Sequence, residues 1–200
     1  NRVLDTGTID GGVTNKYSLK SYDMSYIQSI DNYGKQYYYS SSSMNGARPS
    51  INLKSNVKIV DGDETIDNPY RLLWDNDTEL SGTLLNTRYS GEYVKFGNDE
   101  NNLYRIVSHE NGTGTKIVSA ESLKSSGVFI TSIFGNNTVF SSTSTIGSFL
   151  NGEYLTNYVD NSYIDMVEDS TTWYLGTVGS SASYKLAKYT DETGTTTTSS

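Results

Sequence analysis

Two stretches near opposite ends of the chain carry the same phrase, and a fixed self-similarity sets the phase of everything between them. Near the start, Gly7-Thr8-Ile9 precedes Tyr17-Ser18-Leu19-Lys20-Ser21-Tyr22-Asp23. Near the end, Gly176-Thr177-Val178 precedes Tyr184-Lys185-Leu186-Ala187-Lys188-Tyr189-Thr190-Asp191. The Tyr-x-Leu-x-x-Tyr spacing is identical, and the Gly-Thr pair leads the first Tyr by 10 residues in one copy and 8 in the other, a difference that a turn absorbs. Read as a repeat, the period is about 170 residues, so the chain starts inside one module and stops inside the next. Coincidence in a sequence rich in Tyr, Ser, Thr and Gly is the alternative.

The 200 residues suit one domain or two small ones. The apolar share is 34% and rises to about 43% once Gly is counted, with Ser, Thr, Asn and Tyr filling the shortfall rather than charge. That composition favours a folded β-rich domain over disorder, which pairs low hydrophobicity with high charge and few aromatics. Seventeen Tyr supply core and half-buried surface together, because the ring packs while the hydroxyl reaches water. A net charge of −8 repels phosphate backbones and anionic membranes, so no nucleic-acid partner is expected. The absence of Cys excludes disulfides, thiolate metal sites and thiol catalysis. No stretch has the length of a membrane span, and no signal peptide is visible. Asn1 at the first position implies a processed chain or an excised piece, with any targeting segment upstream.

Alternation marks the strands. Ile51 to Val60 reads as one strand, Tyr93 to Phe96 and Leu103 to Val107 as two strands joined through Gly97–Asn102, and Lys116 to Ala120 as another. The last is reached through Glu110-Asn111-Gly112-Thr113-Gly114, where Asn-Gly is a strong hairpin signal. Val128 to Ile130 is a further strand. Ser144 and Thr145 are placed to cap a helix running through Ile146, Phe149, Leu150 and Tyr154, which Gly152 breaks or divides. Asp23 to Ile30 reads as a short helix with Met24, Ile27 and Ile30 on one face. Asp61 to Asp77 reads as a junction, because Asp61-Gly62-Asp63-Glu64 is a turn and Asn68-Pro69 demands extended chain.

Gly46-Ala47-Arg48-Pro49-Ser50-Ile51-Asn52-Leu53-Lys54-Ser55, followed by Asp61-Gly62-Asp63-Glu64-Thr65 and Asn68-Pro69-Tyr70, resembles the closing signature of a repeated module of Gram-positive surface and pilin-like proteins. That signature reads V-R-P-x-I-N-L-K and then G-D-G-T-x-x-N-P-Y. Ala47 stands for the usual Val, and Glu64 for the second Gly of G-D-G-T. Tyr89-Ser90-Gly91-Glu92-Tyr93-Val94-Lys95-Phe96 and Leu103-Tyr104-Arg105-Ile106-Val107 are similar to the family's opening, with Tyr104 replacing a common Trp. The stretches around Ser141–Asn151 and Trp173–Thr177 are similar to its helix and a later strand. In the family the opening precedes the Arg-Pro segment; here the order is reversed, in agreement with the internal echo. The resemblance implies a compact α+β, mostly β, antiparallel-sheet module with one or two short helices, in out-of-phase order and of C-type-lectin-like kind. It implies display on the bacterial cell surface in tandem, and no catalytic activity.

On that phasing residues 1–72 are the C-terminal half of a module, 73–81 a junction, 82–192 the N-terminal part of the following or same module, and 193–200 a Thr/Ser-rich linker or loop. Residues 1–72 and 82–192 are then expected to pack as complementary halves, within one chain or between neighbours. Lys16–Tyr22 would occupy the structural place of Ser183–Tyr189.

Chemistry-bearing residues are few. His109 is the sole histidine and lies beside a turn without a nucleophile motif, so a His-based triad and a zinc site are not expected. Asp61, Asp63 and Asp67, with Glu64 between, carry the spacing of a loop that converges on calcium, a cation needing 6–8 oxygens. A solvated acidic turn is the other reading, and Asp75, Asp77 and Glu79 form a second such cluster. Tyr37, Tyr38 and Tyr39 are the candidate binding face for a sugar or a protein, against the reading that they are an edge strand covering the core. A Lys–Asn isopeptide staple suits a Cys-free surface domain; Lys95, Lys116 and Lys185 lie in strand-like segments, and no signature selects one. Trp74 and Trp173 are expected core or junction anchors. The family's Arg-Pro pair implies a structural Arg48, tied into the core or a junction. The expected function is a non-catalytic structural or adhesive module whose partners are neighbouring copies or a surface ligand. The rival is a lectin-like module binding carbohydrate or protein, with calcium as the possible cofactor.

Overall fold

Short alternating runs supply the strands, and long-range pairing decides which runs become strand. The computed structural model describes residues 17–21, 26–30, 36–74, 81–110, 114–136, 143–168, 172–174 and 196–198, and for 17–38, 110, 172–174 and 196–198 the backbone alone. In chain order the strands are β1 (Tyr17–Ser21), β2 (Tyr26–Ile30), β3 (Gln36–Ser40), β4 (Asn45–Gly46), β5 (Ser50–Leu53), β6 (Lys58–Asp61), β7 (Tyr70–Leu73) and β8 (Thr83–Leu84). They continue as β9 (Tyr93–Lys95), β10 (Leu103–Glu110), β11 (Gly114–Ser119), β12 (Lys124–Ser125), β13 (Val128–Phe129), β14 (Thr131–Ser132), β15 (Thr172–Tyr174) and β16 (Thr196–Thr198). Helical turns are α1 (Thr145–Ser148), a π-turn (Phe149–Glu153), α2 (Tyr154–Asn157) and α3 (Asn161–Ile164). The chain is α+β and mostly β, as its sequence implies.

The main sheet has seven strands in the order β5-β11-β10-β9-β7-β6-β8. Its centre is the hairpin of β10 and β11, in register from Tyr104↔Ser119 to Glu110↔Gly114 with a bulge between Ile106 and Ser108. β5 adds antiparallel to β11, and β9 antiparallel to β10. β7 then joins β9 in parallel, with Tyr70 opposite Val94. Strands from before residue 74 and after residue 81 therefore share one sheet within one chain. Smaller sheets are β1-β2-β3, β12-β13, β14-β4 and β15-β16.

Leu53, Val57, Val94, Phe96, Tyr104, Ile106, Ile117 and Leu123 are fully buried and form one cluster with Tyr154, Tyr158, Val159 and Met166 of the helical segment. The helical turns thus cover one face of the sheet. Tyr104 in β10 and Tyr154 in α2 are 0% and 1% exposed, and their hydroxyls lie 2.8 Å apart. Each phenol is the other's partner, which removes the penalty of burying a lone hydroxyl. Phe96 meets Tyr104 edge-on at 5.2 Å, a favourable aromatic geometry.

Three expectations change. The run Ile51–Val60 is two strands, because Ser55 and Asn56 turn and the Val57 amide donates to the Lys54 carbonyl. β5 and β6 consequently pair with different neighbours. The helix read over Asp23–Ile30 is strand where it is described, Tyr26–Ile30. Its aromatic and β-branched residues pair with β1 on one side and β3 on the other, and cross-strand pairing overrides a weak helical period. The junction read over Asp61–Asp77 contains β7, a strand inside the main sheet. Ser144 does cap, its hydroxyl accepting from the Gly147 amide, and the helical segment is divided around Gly152, where a π-turn joins the short helices α1 and α2. The echo falls largely outside the described residues, apart from β1.

Gly114 shows how tightly β5 approaches the hairpin. Its φ is +86°, and a Cβ there would clash with the Leu53 carbonyl oxygen. Gly127 has a similar φ of +78° and nothing within 4 Å of a Cβ, so it serves as the control. Gly114→Ala is expected to destabilise the fold well beyond Gly127→Ala in urea titrations, and equal losses would disprove the steric argument. Tyr104→Phe or Tyr154→Phe alone strands one buried hydroxyl and is expected to lose about 1–3 kcal/mol. The double variant is expected to lose less than the sum of the singles, as measured in a double-mutant cycle by the same titrations.

Candidate functional site

The acidic loop between β6 and β7 and the segment leading into β9 meet at the rim of the sheet. Gly62 takes φ +99°, and any Cβ there would press on Pro69 and Tyr70 backbone. Glu64 takes φ +67°, the left-handed region that favours Gly. A left-handed L-residue costs on the order of 1–2 kcal/mol. The contacts of Glu64 offset this: its carboxylate accepts from the Tyr70 hydroxyl at 2.9 Å, and its carbonyl from the Tyr93 amide at 3.0 Å.

The acidic residues are engaged by their own chain. The Asp61 carboxylate accepts from the Gly62 amide at 2.9 Å and lies 3.2 Å from Arg71. That ion pair is exposed and contributes little stability. The Asp63 carboxylate accepts from the Thr65 hydroxyl at 2.6 Å and the Thr65 amide at 3.3 Å, and the Thr65 hydroxyl accepts from the Asn68 amide. Hydrogen bonds from the Thr65 side chain, then from Asn68, hold the Asp63 carboxyl below the ordinary carboxylate range. Asp67 is exposed. Among the described residues, no three His, Asp or Glu side chains converge as a metal-binding group. Asp75, Asp77 and Glu79 lie outside the described residues.

Arg88 gathers the neighbouring groups. Its guanidinium lies 3.2 Å from Glu92 and 3.9 Å from Glu64, with the Tyr70 ring 5.2 Å away and the Tyr89 ring 5.9 Å away. Its carbonyl accepts from His109 Nε2, while His109 Nδ1 lies 3.0 Å from the Thr115 hydroxyl. A carbonyl only accepts, so Nε2 is the donor there, and Nδ1 shares a second hydrogen bond with the Thr115 hydroxyl. His109 is a brace between β10, β11 and the Arg88 backbone. Tyr89 projects 72% exposed beside this cluster. Sequence reading missed Arg88, Tyr70 and Glu92 as a cluster, because the fold brings them together from separate segments.

The other singled-out residues are dispersed. Arg48 donates through Nε to the Ser119 carbonyl, tying the Arg-Pro segment to the end of β11. Trp74 packs against the core, donates to the Asn56 carboxamide at 2.6 Å, and carries Lys54 Nζ 3.9 Å above its ring. Tyr37, Tyr38 and Tyr39 lie in β3, at one end of the three-stranded sheet, and Tyr39 is half-buried. The Tyr37 and Tyr38 side chains lie outside the described atoms. Trp173 pairs through its backbone with Thr197, and its side chain is likewise outside them. Of the three lysines, Lys116 stands in β11 and Lys95 in β9, while Lys185 lies outside the described residues. No described helix is long and apolar enough to cross a membrane. Comparison with protein-family models, characterised proteins and solved structures gives no match to this chain.

Tyr70 links the site to alkaline stability. Burial first, then the hydrogen bond to Glu64, push its hydroxyl from 10.0 up to about 12. Between these values the unfolded chain gives up a proton that the folded chain keeps. Its contribution is therefore complete below pH 10 and is lost as pH rises to about 12. Thermal melts across that range are expected to fall less steeply with pH in Tyr70→Phe than in the wild type; parallel profiles would refute the assignment.

Proposed function

We propose that the chain is a non-catalytic extracellular structural or adhesive module of a bacterial surface protein, pilus or filament, acting beside neighbouring copies of itself or against a surface ligand. The observation that carries this reading is the shared sheet. The segment bearing the Arg-Pro signature supplies β5, which pairs with β11 from the segment bearing the opening signature. Arg48 adds a side-chain tie to β11 at the same seam. A module cut out of phase needs such complementarity between its segments. The engagement of His109 at both ring nitrogens and of the Asp61 and Asp63 carboxylates by neighbouring donors also favours a bracing role over catalysis.

The test combines two measurements on the purified chain. Glycan arrays with and without calcium are expected to retain nothing, and sedimentation of single and tandem-linked copies is expected to show association between copies. Calcium-dependent glycan binding that Asp63→Ala abolishes would replace this reading with the lectin-like one.

A further inference from the structure

Buried polar atoms without partners are rare, and each calls for an explanation. Among the described residues, Asn52 Nδ2 is one of three such side-chain atoms, with Asn45 Oδ1 and Ser122 Oγ. Asn52 is 3% exposed, although it sits in β5 between Ile51 and Leu53, which face the core. Strand alternation puts Asn52 on the opposite face of the sheet.

Two ionisable residues flank it in register. On one side Lys116 of β11 is its direct cross-strand partner. On the other, Leu53 bridges Val167 antiparallel, the Lys54 amide donates to the Met166 carbonyl, and the Glu168 amide donates to the Asn52 carbonyl at 2.8 Å. That register sets Glu168 opposite Asn52. The row Lys116–Asn52–Glu168 thus crosses three adjacent stretches of backbone on one face. Direct cross-strand neighbours have Cβ atoms about 4.5–5.5 Å apart, within the span of a lysine's four-carbon stem. Lys116 and Glu168 are both half-buried. Of the other two orphaned atoms, Asn45 has Ser132 as its cross-strand partner and Ser122 lies outside the strands, so neither stands opposite a lysine in register.

We propose that Lys116 and Asn52 become joined by an intramolecular isopeptide bond, with Glu168 carrying the proton. The Glu168 carboxylate takes a proton from the Lys116 ammonium, and the neutral amine attacks Asn52 Cγ. The new Nζ–Cγ bond forms, the Cγ–Nδ2 bond breaks, and Glu168 passes the proton to the departing nitrogen. The product is a secondary amide plus one ammonia, which leaves protonated; no oxidant, metal or other reactant is consumed. The orphaned Nδ2 is the leaving group, so the reaction removes the unpartnered atom. The link fastens β5, from before residue 74, to β11, from after residue 81.

Intact-mass spectrometry of the denatured wild-type chain tests this directly. The expected mass is that of the sequence less one ammonia, with a branched proteolytic peptide joining the segments that contain Asn52 and Lys116. Lys116→Arg, Asn52→Ala and Glu168→Gln are each expected to restore the full sequence mass less only what the substitution changes. Circular dichroism establishes that each variant folds, and the wild-type mass decides the matter without any variant. A wild-type chain of full mass overturns the proposal, and so does an ammonia loss that persists in Lys116→Arg, which marks cyclisation at an Asn-Gly site. The proposal does not rest on the functional reading, because the mass is measured whether or not a glycan binds.

Discussion

Two phenols shut away from water decide how the helical segment sits on the sheet. Tyr104 and Tyr154 lie fifty residues apart in sequence, and each buried hydroxyl has the other as its hydrogen-bond partner. A hydrophobic face tolerates sliding; a buried hydrogen bond does not, because a small displacement leaves two polar groups unsatisfied. The π-turn at Phe149–Glu153 precedes Tyr154 directly. A π-turn adds residues to one turn of helix and so rotates the next turn about the axis, which alters the direction Tyr154 faces relative to Ser144 and its cap. The aromatic packing of Phe96 against Tyr104 and Tyr163 fills the space around the bonded pair.

The sheet is built around the β10–β11 hairpin, but its chain path is unusual in one respect. β7 enters beside β9 in parallel, while the other pairings in the main sheet are antiparallel. A parallel neighbour cannot be joined by a tight turn. The path from β7 to β9 therefore crosses to the far edge, where β8 pairs with β6, and returns through Leu85 and Arg88. That return brings Arg88 over Tyr70 and next to Glu64. The rim cluster arises from topology as much as from charge.

What the sequence disclosed was local. The hairpin strands, the Ser144 cap and the loop around Gly97 announce themselves by alternation, side-chain capping and turn chemistry, all of which act within a few residues. Misreadings came where a distant partner outweighed the local pattern. Ile51–Val60 alternates smoothly, yet its two ends serve different neighbours, so a turn falls inside the pattern. Tyr70–Leu73 was hidden by the polar residues around it, and its place depends on Val94. No local rule pairs Tyr104 with Tyr154, or Arg88 with Glu64, because each pair is assembled by the fold. The Glu64 turn lies between these cases: Asp61-Gly62-Asp63-Glu64 announces a turn, but not that Glu64 takes its left-handed position.

The β5–β11 seam also has a history in time. Asn52 meets Lys116 across more than sixty intervening residues, and contacts of long sequence separation form late. At ordinary rates of synthesis roughly 3–13 s separate the two strands as they emerge. During that interval the β5 backbone has no β11 to pair with, and an unpaired strand edge is open to pairing with other backbone. The edge of β5 is therefore completed only when the later hairpin arrives.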